Sequence, residues 1–451
     1  MVMKYANLGT AFQASMESRG CEDDTTLPLQ GGADSLEAGL LDVQATEAEV
    51  AENEAAISEA QDVATGLEAI ANDLQAFVKD GGLDAKGAVM MQRAVNAYTS
   101  RLGFAKAPVA SVESFGGVAS RVSSTTVSME GIKELVLKVW NWIKEQIQKM
   151  RIKLKDYWLK NYAAAPRLSK RAEALKAQAQ KATGTAKETK FDLGGVLAQL
   201  HIAGKLPNIA AAYDKVKAQA EKIFATTSKV TLDNAEKYAA DIEKLTFKDD
   251  ATFTTAIGQF KNDKTMHDIR SVGNPIKDDK RHSDSEEAFG GEELMGGVRV
   301  FVSWKKYTQN DVKSVMGAIA SLRGGLESFT DKERDVSGSA TVSTLSLSNI
   351  IGICDSVIGV ADLVAKYAQG YVNRDKAKDL IIKAGDAFTK EVGTIEELST
   401  ANNAIARDIA AGFRAQAAMI DNPMTQFSGY ILRTSAAALT VCEKSLAQYG
   451  A

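Results

Sequence analysis

The residues able to do acid–base, nucleophilic or metal chemistry are few in this chain, and their spacing argues against each use. Its three histidines, His201, His267 and His282, form no HExxH motif and have no neighbouring carboxylate at ligand spacing. His267 and His282 flank a charged, glycine-containing stretch, which predicts solvated loop residues. The three cysteines, Cys21, Cys354 and Cys442, lie far apart without CxxC or CxxH spacing, so neither a zinc site nor a disulfide framework is expected. Cys354 and Cys442 sit in apolar helical contexts and read as core residues. GxxxxGK[ST], GxGxxG and GxSxG are all absent. The acidic pairs Glu286/Glu287 and Glu292/Glu293 fall in a glycine-rich stretch that predicts solvent exposure. The reading is no enzyme, no cofactor and no metal.

Two other features carry more information. The first is residues 131–162, GIKELVLKVWNWIKEQIQKMRIKLKDYWLKNY. An apolar stripe at helical spacing (Ile132, Leu135/Val136, Val139/Trp140, Ile143, Ile147, Met150, Leu154, Tyr157/Trp158) faces a basic surface. Over residues 131–160 eight bases, Lys133, Lys138, Lys144, Lys149, Arg151, Lys153, Lys155 and Lys160, oppose three acids. Three of the four tryptophans, Trp140, Trp142 and Trp158, are here. Three readings follow. The stripe is bundle core with lysines in water; or it is a membrane-surface helix with tryptophans at the interface; or its lysines neutralise nucleic-acid phosphates.

The second feature is a recurring triplet, a small residue followed by any residue and Glu. It occurs as Ser111-Val112-Glu113 before Ser114, and as Ser128-Met129-Glu130 before Gly131. Ser15-Met16-Glu17, Ala45-Thr46-Glu47 and Gly325-Leu326-Glu327 match too, so the triplet alone is weak. Two copies lie in or at the end of residues 103–126, a Gly-, Pro-, Ser- and Thr-containing stretch that reads as the clearest linker. A protease needs such an extended, accessible backbone.

Charge changes sign at the same place. Residues 1–113 hold 18 acids and 7 bases, a net charge of −11, while the remaining 338 residues carry +7. The whole-chain value of −4 therefore averages an acidic head and a mildly basic body.

These features are positioned by elements that are mostly helical. Residues 33–78 carry an apolar seam, Leu36, Leu40, Val43, Val50 and Ile57, then Val63, Leu67, Ile70, Leu74 and Phe77, filled with Ala and Glu. Lys79-Asp80-Gly81-Gly82 should stop that helix, and a second, roughly Ala85 to Leu102, should fold back. Pro166 should close the Trp/Lys helix, with Ala/Lys-rich helices following to Leu245 and breaks at Gly184 and Pro207. TFTTAIGQF and VRVFVSW look β-like, and helices resume from about Asn310. No run of 18 apolar residues occurs and the first residues lack a signal-peptide core, which disfavours membrane spanning and secretion.

The fold expected is mainly α: a multi-helix bundle with a small β-containing insertion and an N-terminal helical segment. Its divisions are an acidic head 1–113, a linker 114–130, a helical domain 131–245, an α+β insertion 246–310 and a C-terminal helical domain 311–451.

Residues 85–165 give this pattern a family look. MMQRAVNAYTSRLGF, the Ser111–Gly116 segment SVESFG, and SMEGIKELVLKVWNWIKEQIQKMRIKLKDYW together resemble the internal head (inner body) proteins of phiKZ-like giant tailed phages. The resemblance implies a precursor cut by the phage prohead protease after Glu in Ser/Ala/Gly-x-Glu, here Glu113 or alternatively Glu130. The body would then reside in the capsid interior with other internal head or capsid proteins and packaged DNA, held weakly and without sequence preference. The acidic head would keep the basic body soluble until then. Two rival readings remain: an ejected or membrane-active protein using residues 131–162, and a packaged enzyme whose site assembles around residues 262–310.

Overall fold

A computed structural model describes residues 29–103, 117–193, 196–260, 264–277, 279, 281–329, 341–395 and 398–450. It is mainly helical, with two small antiparallel sheets. The chain divides into two units, residues 45–157 and residues 1–44 with 158–451. Helices α1 (Leu29–Lys79) and α3 (Val118–Lys181) each contribute residues to both. Residues 45–79 of α1, helix α2 and residues 118–157 of α3 fall in the same unit.

In the 45–157 unit, α1, α2 (Ala85–Arg101) and the first part of α3 share one core. Ile57, Val63, Leu67, Ile70 and Leu74 of α1 meet Val95 of α2 and Met129, Ile132, Leu135, Val136, Val139 and Ile143 of α3. Their i, i+3, i+4, i+7 spacing makes one stripe per helix, so each helix buries a single face. Gly81 and Gly82, both at positive φ, end α1, and the Gly82 N–H donates to the Phe77 carbonyl at 2.7 Å. A side chain at Gly82 would overlap the α3 backbone at Arg121 and Val122. Asp84 then caps α2, accepting from the Gly87 N–H at 2.7 Å. Arg101 of α2 pairs with Glu59 at 2.6 Å, and Glu49 pairs with Lys153 at 3.0 Å, so both α2 and α3 run antiparallel to α1.

Helix α3 begins at Val118, which corrects the linker expected over 114–130: residues 118–130 are helical. The Ser/Thr cluster does not break the helix because its hydroxyls satisfy themselves on carbonyls four residues back. Thr125 donates to Arg121 O at 2.7 Å, Thr126 to Val122 O at 2.9 Å and Ser128 to Ser124 O at 2.8 Å. Pro166 lies inside α3 rather than closing it. The buried row Trp158, Ala165, Leu168 and Ala172 continues past it, so tertiary packing offsets the backbone hydrogen bond that proline forfeits.

The other unit holds β1 (Lys190–Asp192), α4 (Leu197–Leu200), α5 (Ile209–Glu221), a π-helical turn (Lys222–Thr227), α6 (Ser228–Glu243), α7 (Asp250–Gly258) and α8 (Lys264–Ile269). Then come β2 (Asn274–Pro275), β3 (Glu286–Gly290), β4 (Val298–Lys305), α9 (Val312–Ala320), β5 (Arg323–Ser328) and β6 (Thr341–Ser343). Helices α10 (Leu347–Gln369), α11 (Tyr371–Val392), α12 (Thr400–Met419) and α13 (Met424–Leu446) finish it. The larger sheet is antiparallel in order β2-β3-β4-β5, and β1 pairs with β6.

The β-containing region therefore extends past residue 310, to Ser328 and again to Ser343. TFTTAIGQF is mostly helix α7, not strand. Asp249 and Thr252 form a capping box, and Phe253, Ala256 and Ile257 bury at helical spacing. VRVFVSW is strand β4 as expected, with Val300, Val302 and Trp304 buried. Helix α10 is long and apolar enough by composition to cross a bilayer. Its Ile350, Ile353, Val357, Val360 and Val364 are buried in the helical core of its unit, against α5 and α13.

Candidate functional site

Ser111, Val112, Glu113 and Ser114 lie outside the described residues. The helices on either side are α2, ending at Arg101, and α3, starting at Val118. The alternative, Ser128-Met129-Glu130-Gly131, is inside α3. Ser128 is fully buried, Met129 belongs to the shared core, and only Glu130 faces solvent. Gly325-Leu326-Glu327 lies in strand β5, paired to β4 with Arg299 opposite Glu327. The Glu327 carboxylate is mostly buried and ion-paired to Arg299.

The basic helix is treated unevenly by the fold. Lys133, Lys138 and Lys149 are exposed, the first two paired within the helix to Glu130 at 3.2 Å and Glu134 at 3.0 Å. Arg151, Lys153 and Lys155 are half-buried, and Lys153 is held by Glu49 of the acidic head. Trp142 is half-buried against the shared core. The Trp140 and Lys144 side chains lie outside the described set.

Trp158, expected among the contact residues, is instead a core residue of the second unit with no exposed surface. It packs edge-on against Tyr367 at 5.1 Å, and the buried Arg374 guanidinium lies over both rings. Of the three readings of the stripe, burial in a bundle is what the fold adopts for its apolar side chains.

Histidine burial departs from expectation too. His267 is exposed, but the His282 side chain is 6 % exposed. Its ring lies 5.4 Å from that of Phe301, with Nε2 3.1 Å from Glu327 and Nδ1 3.7 Å from Glu286. Sequence reasoning missed this because the partners come from three strands. Nor are the paired glutamates all solvated. Glu286 meets Arg323 at 3.0 Å, Glu287 meets Arg270 at 3.1 Å, and Glu293 accepts from the Ala203 N–H at 2.8 Å. Glu292 is the exposed one, paired with Lys215 at 2.6 Å.

The constellation around His282 is an ion-pair network. Arg299 bridges Glu327 and Asp279, the latter at 2.5 Å, and Arg281 adds a second guanidinium on Asp279 at 2.6 Å. Both arginines stack on Phe329. The carboxylates nearest the ring are already engaged by guanidinium groups, an arrangement that fastens β3, β4 and β5 together. Among the described residues no group of three His, Cys, Asp or Glu side chains is arranged to hold a metal ion.

Hydrogen bonds from the Arg281 side chain, then from its backbone N–H and from Arg299, hold the Asp279 carboxyl well below the usual carboxylate range. A depressed carboxylate stabilises the fold fully above its unfolded pKa of about 3.9 and progressively less as pH falls toward its folded value. Asp279→Asn is therefore expected to lower stability by about 1–3 kcal/mol at pH 7. It should also flatten the loss of stability between about pH 5 and 3, read from urea unfolding at a series of pH values.

A family model described as phiKZ-like phage internal head proteins matches residues 40–444, which take in the acidic head from residue 40 onward, the basic helix, the ion-pair network and nearly all of the C-terminal helices. No curated protein and no solved structure matches the chain. The match covers most of the sequence, and the chain belongs to the phiKZ-like phage internal head proteins, which reside inside the capsid.

Proposed function

We propose that this structural head protein is made as a precursor and cut after Glu113 by the phage prohead protease. The body from Ser114 onward then remains in the capsid as a non-enzymatic component, among other internal head or capsid proteins and packaged DNA. The observation that supports this reading is the contrast between the two triplets at the change in charge. Ser128-Met129-Glu130 is wound into α3 with Ser128 and Met129 buried, whereas Ser111-Val112-Glu113 falls between the end of α2 and the start of α3. Proteases bind their substrates as extended strands, which a packed helix does not offer. The cut also changes the charge of the chain from −4 to +7, which suits a body stored beside a polyanion.

Intact-mass and N-terminal analysis of chains from purified, DNA-filled particles tests the reading. The expected chain begins at Ser114. A full-length chain in mature particles overturns it.

A further inference from the structure

The acidic head lies on one particular surface, and its chemistry defines what that surface can accept. In the 45–157 unit, Met129, Ile132, Leu135, Val136, Val139 and Ile143 of α3 are buried in the core shared with α1 and α2, with Trp142, Ile147 and Met150 packed at its margin. Beside this stripe, Lys153 is neutralised by Glu49. The covering stretch of α1, residues 45–79, carries eight acids and one base. The cover is thus apolar toward the stripe and anionic at its edges.

A replacement must match both properties. A second copy of α3 is apolar but cationic, so its bases would oppose their equals. Duplex DNA is anionic but offers no apolar surface to nine hydrophobic side chains. An anionic lipid surface supplies acyl chains for the stripe and headgroup charge for Lys149, Arg151, Lys153 and Lys155. Tryptophan beside such a stripe suits the same boundary.

We propose that α1 and α2 are a removable cover, and that the face they hide on α3 binds anionic membrane once the cover is cut from the body. This rests on the processing reading above. Covalent linkage keeps the cover at high effective concentration, so lipid cannot compete in the intact chain. After the cut no covalent link restores the cover, so a bilayer that buries the same stripe can displace it. Residues 118–157 then behave as an amphipathic basic helix.

The test uses the full chain with residues 111–114 replaced by the recognition sequence of an unrelated protease, so that cutting does not depend on the phage enzyme. Intact and cut protein are sedimented with phosphatidylglycerol/phosphatidylcholine vesicles, with phosphatidylcholine vesicles, and at two salt concentrations. The expected result is roughly tenfold or greater enrichment of the cut body on anionic vesicles over the intact chain, falling with salt, with the head left in the supernatant. Lys149→Glu/Lys153→Glu in the cut chain alters the basic edge without touching the core, and should reduce vesicle binding roughly fivefold or more.

Equal binding by intact and cut chains overturns the proposal. So does a cut chain that stays in solution, whether it keeps its head or self-associates. Gel-shift of DNA by the cut chain without vesicle binding assigns the face to DNA and also overturns it. Because the cut is engineered, a full-length chain in virions would remove the processing reading without altering the vesicle result.

Discussion

In phage carrying Glu113→Gln, the chain is expected to remain full length in mature particles, whereas Glu130→Gln should leave processing unchanged. The physical reason is the cost of presenting each site. To reach Glu130 a protease must unwind α3 around a stretch where Met129, Ile132, Leu135 and Val136 are buried. Exposing four such side chains costs about 1.5–3 kcal/mol each, roughly 6 kcal/mol at the least. Opening would then be populated at about one part in 10⁴, which limits cleavage to that fraction when reclosing is fast. Glu113 falls in the sequence between α2, which ends at Arg101, and α3, which begins at Val118. Mass analysis of virion chains from both variants decides the matter. Normal cutting of the Glu113→Gln chain would sink the assignment.

The second large effect concerns a buried charge pair in the C-terminal helices. Lys378 of α11 donates to the Asp421 carboxylate just after α12, with the two side chains only 8 % and 3 % exposed. Asp421→Ala leaves the buried Lys378 ammonium without its counter-charge, and is expected to cost about 3–5 kcal/mol. Lys378→Met should cost a similar amount by stranding the carboxylate. The double variant Lys378→Met/Asp421→Ala removes both charges and should cost clearly less than the sum of the two single losses, since desolvation of the pair offsets much of its attraction. Urea unfolding of the three proteins reads the non-additivity directly. Additive losses would show that the two groups do not act as a pair.

The seam of α1, the Gly81-Gly82 stop, the return helix α2 and strand β4 are all legible in the sequence. Each depends on local rules: periodicity within a few turns, a positive φ that favours glycine, or alternation along eight residues. Helix α7 departs from the β-like look of its sequence for a reason just as local. TFTTAIGQF is rich in β-favouring residues, but Asp249 and Thr252 close a capping box that starts a helix, and short segments are where propensity yields most readily. The Ser/Thr stretch at the head of α3 likewise shows that hydroxyls can be absorbed by a helix when they bond back to it and are buried.

What the sequence by itself determined was composition in space along the chain: an acidic head, a basic amphipathic helix, a change of charge between them and a Ser-x-Glu triplet at the change. It did not determine which apolar stripe covers which. Stripes of Ile, Leu, Val and Ala are interchangeable to first order, because apolar burial is non-directional and any complementary face satisfies it. Only the tertiary structure placed the acidic α1 on the basic α3, with Glu49 on Lys153, and made the head a cover rather than a tail. Only the tertiary structure gathered His282, Arg299, Asp279 and Glu327 from a loop and two strands, and withdrew Trp158 from any surface role by burying it edge-on against Tyr367 and beneath Arg374. These are contacts between residues far apart in the chain, and no local pattern encodes their partners.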